Sequence, residues 1–145
     1  MTETNTTKTP FLWPVRVYYE DTDTAGVVYH GNYLKYMERA RTEWLRHRGW
    51  EQESGFQETG VRFTITHVDI AFKAPARLDD HLIVTAQVIR LGGASLTLEQ
   101  LIHKEGSDEI ITQAEVRIAV VDGDFRPTRF PPALLSRITN QRETP

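Results

Sequence analysis

The chain contains no cysteine. Disulfides, thiolate metal sites and cysteine nucleophiles are therefore excluded, and the composition suits a reducing compartment. No apolar run approaches the ~18–20 residues that a bilayer-spanning helix needs. The first residues also lack the basic-then-apolar order of a signal peptide. The expected location is the cytoplasm, with peripheral contact at the inner membrane left open. Basic charge is not in excess: 17 Lys and Arg stand against 20 Asp and Glu, for a net charge of -3. No nucleic-acid partner is expected from that balance. None of the serines (Ser54, Ser95, Ser107, Ser136) lies in a G-x-S-x-G turn, so the serine-esterase route has no support. Gly26 and Gly31 are too few and wrongly spaced for a phosphate-binding loop, and the acids beside them would repel phosphate. Internal repeats, low-complexity core segments and domain boundaries are missing too.

What is present is 145 residues, 39% hydrophobic, enough for one domain with its own core. Residues 1–10 are Thr-rich and aperiodic and read as a disordered leader. Residues 11–139 form the domain, and 140–145 read as a frayed tail. Leu12 to Tyr19 alternates, with Val15, Val17 and Tyr19 on one face, as a half-buried strand does. Tyr33, Met37, Ala40 and Trp44 recur at helical spacing, predicting a helix from about Gly31 to Arg48. Asn32 is its expected N-cap and Gly49 its C-cap. Trp50 to Thr59 reads as a short helix or irregular segment.

The period then becomes two. Strands are predicted over Val61–Lys73, His81–Leu91, Ala94–Lys104 and Glu109–Val121. The apolar phase of the first flips between Ile65 and Val68, which predicts a β-bulge. Pro75–Asp80 reads as a turn, and Gly92-Gly93 has the chemistry of a two-residue hairpin. Ala133–Thr139 is a short terminal helix. The class is α+β: one long helix lying across a curved five-stranded antiparallel sheet.

Between the first strand and the helix lies the densest stretch of chemistry, Tyr18 to Tyr33, with Glu20, Asp21, Asp23 and His30 around Gly26 and Gly31. As a calcium loop it fails at Ala25, which is not an oxygen donor, and at Asn32, where a bidentate Glu is required, so no metal is expected. Two readings remain open on the residues alone. Asp21, Asp23 and Gly26 can be turn formers, with Asn32 a cap and His30 a surface residue. Alternatively, the unpaired N–H groups of the helix start polarise a carbonyl while Asp23, brought back by a bend at Gly26, attacks it or activates water.

The stretch Val15–Tyr33, together with Glu38-Arg39-Ala40-Arg41-Thr42-Glu43 on the helix and Ala74–Asp80 after the second strand, closely resembles the YbgC-type acyl-CoA thioesterases. These belong to the 4-hydroxybenzoyl-CoA thioesterase branch of the hotdog superfamily. The resemblance covers most of residues 12–122. It implies a hotdog fold and hydrolysis of acyl-CoA without a separate cofactor, CoA being part of the substrate. It also implies Asp23 as the carboxylate that acts as nucleophile or general base, and the backbone N–H of His30 as the donor to the thioester carbonyl. Tyr19, Gly31, Asn32, Phe63 and Arg90 are then expected around the substrate, Phe63 from the neighbouring chain of a homodimer or homotetramer. The family's context adds phospholipid-synthesis enzymes and the Tol-Pal proteins as partners. One departure stands out. The benzoyl branch carries basic residues in the hairpin that here is Gly92-Gly93-Ala94, so its hold on the CoA phosphates does not transfer. Arg90, Lys104 and Lys73 are the substitutes on offer. A hydratase on the same fold and a non-catalytic acyl-CoA-binding module are the competing functions.

Overall fold

A computed structural model describes residues 9–139. Most of the expected leader and all of the expected tail lie outside those residues. The chain runs β1 (Phe11–Arg16), a 3-10 turn (Tyr19–Asp21), α1 (His30–His47), α2 (Gln52–Thr59), β2 (Arg62–Phe72), β3 (His81–Leu91), β4 (Ser95–Lys104), β5 (Ile110–Val121) and α3 (Pro132–Thr139). The strands form one antiparallel sheet in the order β1-β3-β4-β5-β2.

Alternation produces the core. Leu82, Val84, Ala86 and Val88 of β3, Leu96, Leu98 and Ile102 of β4, and Ala114, Val116, Ile118 and Val120 of β5 are all buried. Tyr33, Met37, Ala40 and Trp44 of α1 are buried with them. The helix lies over the β1–β3 side of the sheet. Within that contact Gln100 of β4 is fully buried. Its amide donates to the carbonyls of Met37 and Thr85, each at 3.2 Å, and its oxygen accepts from Arg41 at 3.0 Å. Burial lowers the pKa of the Arg41 guanidinium, against the pull of Glu38.

Two expectations change and a third is refined. The first strand stops at Arg16 rather than running to Tyr19, because Asp21 accepts the Tyr18 N–H on its carboxylate and coils the chain into the 3-10 turn. Pro75–Asp80 contains the expected turn, with the Asp80 N–H donating to the Arg77 carbonyl at 3.1 Å, but it does not join neighbouring strands. β2 pairs with β5 at one sheet edge while β3 lies next to β1, so this segment crosses the width of three strand spacings, about 14 Å. The helix starts at His30, and Tyr29 rather than Asn32 occupies the N-cap position, with no side-chain cap. The bulge in β2 falls between Ile65 and His67, where the alternation breaks. The hairpin at Gly92-Gly93 joins β3 to β4.

Candidate active site

Residues 22–28 form a small hairpin of their own. Thr22 bridges Val28, the Asp23 N–H donates to the Val27 carbonyl at 2.9 Å, and the Gly26 N–H donates to the Asp23 carbonyl at 2.9 Å. Gly26 has φ +80, the left-handed conformation that lets the chain reverse here. One carboxylate oxygen of Asp23 accepts the Ala25 N–H at 2.8 Å. The side chain is exposed, and its charge acts on Tyr33 in the first turn of α1. Burial pushes the Tyr33 hydroxyl above its ordinary pKa, the hydrogen bond from the Ala76 N–H opposes this, and Asp80 and Asp23 add to the rise. The hairpin is also tied to the sheet side by the Val28 N–H, which donates to the Ala76 carbonyl at 2.8 Å.

The next residues open the helix. The Tyr29 N–H donates back to the Asp21 carbonyl, and the Asn32 N–H closes a tight turn onto the Tyr29 carbonyl. The N–H groups of His30 and Gly31 meet no acceptor among the described residues. They are orphan donors at the positive end of an 18-residue helix. The His30 ring is exposed, with the Tyr29 ring centroid at 4.5 Å and that of Phe72 edge-on at 5.9 Å. Phe72 also lies 5.9 Å from Tyr33. It faces the helix side of the sheet yet is 49% exposed, because α1 does not cover the end of β2. Gly31 carries no side chain to push the Tyr29 ring away: a Cβ there would stand 2.8 Å from it.

The expected substrate residues divide. Asp23, His30, Gly31 and Asn32 are brought together. Tyr19 stands in the 3-10 turn just before the hairpin with its side chain 82% exposed. Asn32 is buried, and its amide donates to the Asp21 carbonyl at 2.8 Å instead of capping the helix. Phe63 is remote within one chain. It lines a pocket of about 130 Å³ with Trp44 and Leu45, and Trp44 lies about 21 Å along the helix from His30. Arg90 is remote as well. It is exposed on the far end of β3 and pairs with Glu115 at 3.2 Å. Phe72 was legible only as one more apolar residue of its strand, because its contact with His30 depends on the sheet order. Among the described residues, no three His, Asp or Glu side chains converge on a metal-sized space.

The model of the thioesterase superfamily matches residues 25–111. This chain belongs to the thioesterase superfamily. The superfamily match begins two residues past Asp23, so it spans the helix and most of the sheet but not the acid itself. Among curated superfamily members, the acyl-CoA thioester hydrolase YbgC of Escherichia coli O6:H1 is 40% identical over 129 residues, covering 88% of this chain and 95% of that protein. The acyl-CoA thioesterase YbgC of Haemophilus influenzae is 41% identical over 122 residues, covering 83% and 88%. A solved probable thioesterase from Bartonella henselae superposes with a TM-score of 0.79 at 36% identity, covering 85% of this chain and all of that one. The expected hotdog architecture and YbgC-type kinship are thereby established, and the protein is a thioesterase.

Proposed function

We propose that the protein hydrolyses acyl-CoA to a free acid and CoA with Asp23 as its carboxylate. The observation that carries the reading is the pairing of an exposed Asp23 with two unused N–H donors, those of His30 and Gly31, across one hairpin. A thioester carbonyl seated on those donors is polarised, and the oxyanion that forms on attack is held by them. Asp23 then acts in one of two ways. Its free oxygen attacks the carbonyl carbon, CoA leaves as thiolate and takes a proton, and water cleaves the resulting anhydride. Alternatively, Asp23 takes a proton from water while that water attacks directly. Thioesters lack the resonance stabilisation of oxygen esters, so one carboxylate with oriented donors suffices. The His30 ring, Phe72 and Tyr29 form the aromatic wall beside the acyl group.

The proposal extends to assembly. β2 is an edge strand whose Ile65, Val68 and Phe72 are uncovered on the helix side, as a surface that pairs with a second copy is. Antiparallel pairing of two β2 edges carries Phe63 of one chain toward the Phe72 end of the other, which gives Phe63 a place in a homodimer or homotetramer site. Arg90, which keeps further N–H donors beside its contact with Glu115, is the proposed hold on the CoA phosphates. The cytoplasm, its inner-membrane face, and phospholipid-synthesis or Tol-Pal partners complete the proposed setting. Among the described residues no helix is long and apolar enough to cross a membrane.

The test is CoA release from an acyl-CoA panel by wild type and Asp23→Asn, a change that keeps the shape and removes the charge. A loss of about 10²–10⁴-fold in kcat at unchanged melting temperature is expected. Equal rates would refute the role of Asp23.

A further inference from the structure

The hairpin that carries Asp23 is closed by its own backbone hydrogen bonds, and it is linked to α1 indirectly through Ala76, whose carbonyl accepts the Val28 N–H and whose N–H donates to the Tyr33 hydroxyl. Besides the continuous chain, the Asp21 carbonyl is where the incoming arm meets the helix start. It accepts the Tyr29 N–H at 2.9 Å and the Asn32 amide at 2.8 Å, which occupies both of its lone pairs. The carboxylate of the same residue accepts the Tyr18 N–H at 2.9 Å, so Asp21 is fixed to the arm by its side chain and to the helix by its main chain. Two residues later comes Asp23. The partners of these bonds matter unequally. The Tyr29 N–H is part of the hinge and moves with it. The Asn32 side chain is the only one of the two donors that belongs to the body of α1, and it is buried beneath the hairpin.

We propose that Asn32 is a positioning residue that sets the distance between the Asp23 carboxylate and the N–H donors of His30 and Gly31. This rests on the role proposed for Asp23. Asn32 itself touches no reacting atom. Its amide is taken up by Asp21, and its burial leaves it no face toward a substrate. Asn is also a poor helix former, and at this position it neither caps nor faces solvent, so its residue type is accounted for by the bond to Asp21. Tyr36, one turn further on, closes the same space. Its hydroxyl is buried without a well-aligned partner, and burial first, then the neighbouring Asp21 carboxylate, raises its pKa. A neutral phenol therefore packs beneath Asp21 and brings no competing charge to the clamp.

The experiment compares kcat, KM and melting temperature for Asn32→Ala and Asn32→Asp on an acyl-CoA that the wild type turns over. Asn32→Asp keeps the shape but turns an oxygen toward the Asp21 carbonyl. Arg137→Ala, at the opposite end of α1, is the control for lost stability alone. Both Asn32 variants are expected to lose about 10–100-fold in kcat per folded molecule, the scale of an ångström-sized misplacement, with KM within about twofold. The control keeps its kcat. Wild-type kcat in the Asn32 variants, or a loss confined to KM, overturns the proposal. If Asn32→Ala does not fold, Asn32→Ser, which retains a shorter donor, carries the comparison. A smaller kcat loss supports the clamp, and a lowered melting temperature with unchanged kcat overturns it. Asp23→Asn measured alongside keeps the two readings apart: full activity there removes the role of Asp23, whereas kcat in the Asn32 variants decides the clamp.

Discussion

Helix α1 begins and ends in opposite ways. At its C-terminus nearly every carbonyl finds a donor. The Gly49 N–H returns to Arg46 and the Trp50 N–H to Leu45, the paired bonds of a Schellman motif, with Gly49 in the left-handed conformation at φ +86. Arg137 of α3 then donates to the carbonyls of Arg48 and Gly49, and Arg48 donates to that of Arg137 at 3.0 Å, so two helix ends cap each other. At the N-terminus nothing of the kind happens. Tyr29 supplies no side-chain cap, and the N–H groups of His30 and Gly31 stay open beside an exposed acid. The same helix therefore has one end closed by backbone and side-chain donors and one end open, and it is the open end that the proposed function uses. An unfinished end is ordinary where water can reach it. What sets this one apart is that the chain returns to it, through a hairpin held by seven residues, with Asp23 on the arm.

The largest stability effect belongs at the finished end. Arg137→Ala removes donors from the carbonyls of Arg48 and Gly49 and should cost about 1–2 kcal/mol, read by denaturant unfolding, while kcat per folded molecule stays at the wild-type value. An activity loss there beyond the folded fraction would break the separation of the two ends.

A smaller effect sharpens the comparison at a turn away from both. Asp122 uses one carboxylate oxygen to accept the N–H groups of Asp124 and Arg126, at 2.9 and 3.0 Å. Those bonds hold its carboxyl below the usual range, the Arg126 N–H first. A folded-state pKa below the unfolded value of about 3.9 adds stability that is present above that pH and is lost as pH falls through the folded value. The melting temperature of Asp122→Asn should therefore lie slightly below wild type at pH 6, and the gap should close below about pH 4. A constant gap across that range would mean that charge plays no part. The turn is built like the one at Asp23, where a single N–H occupies one oxygen and leaves the other free.

Periodicity in the sequence carried much of this. The stripe from Tyr33 to Trp44 located α1, alternation located β2 to β5, and the phase flip after Ile65 located the bulge. Alternation reports which face a residue takes but not which strand lies beside it. The placement of β2 at the edge next to β5, and with it the contact between Phe72 and His30, was for that reason not legible. Asn32 shows a second limit. A short amide before an apolar stripe fits a cap equally well as a longer reach, and only the path of the preceding hairpin decides that it bonds Asp21. Gln100 and Arg41 show a third, since a polar residue inside an alternating strand gives no sign that its partner is a helix carbonyl. In the loop, the residues Asp23, Gly26 and His30 were readable, while the roles came from resemblance to a family.

The central claim is that the open N–H at His30 does the work of polarising the thioester, and His30→Pro against His30→Ala tests it most directly. Proline suits the first helical position, and Tyr29 before it is extended at φ -62 and ψ 133, as a residue preceding proline prefers. Both variants lose the imidazole, but only proline loses the N–H. The account predicts kcat for His30→Pro about 10²–10³-fold below that of His30→Ala at a similar melting temperature. Equal kcat in the two variants would contradict it.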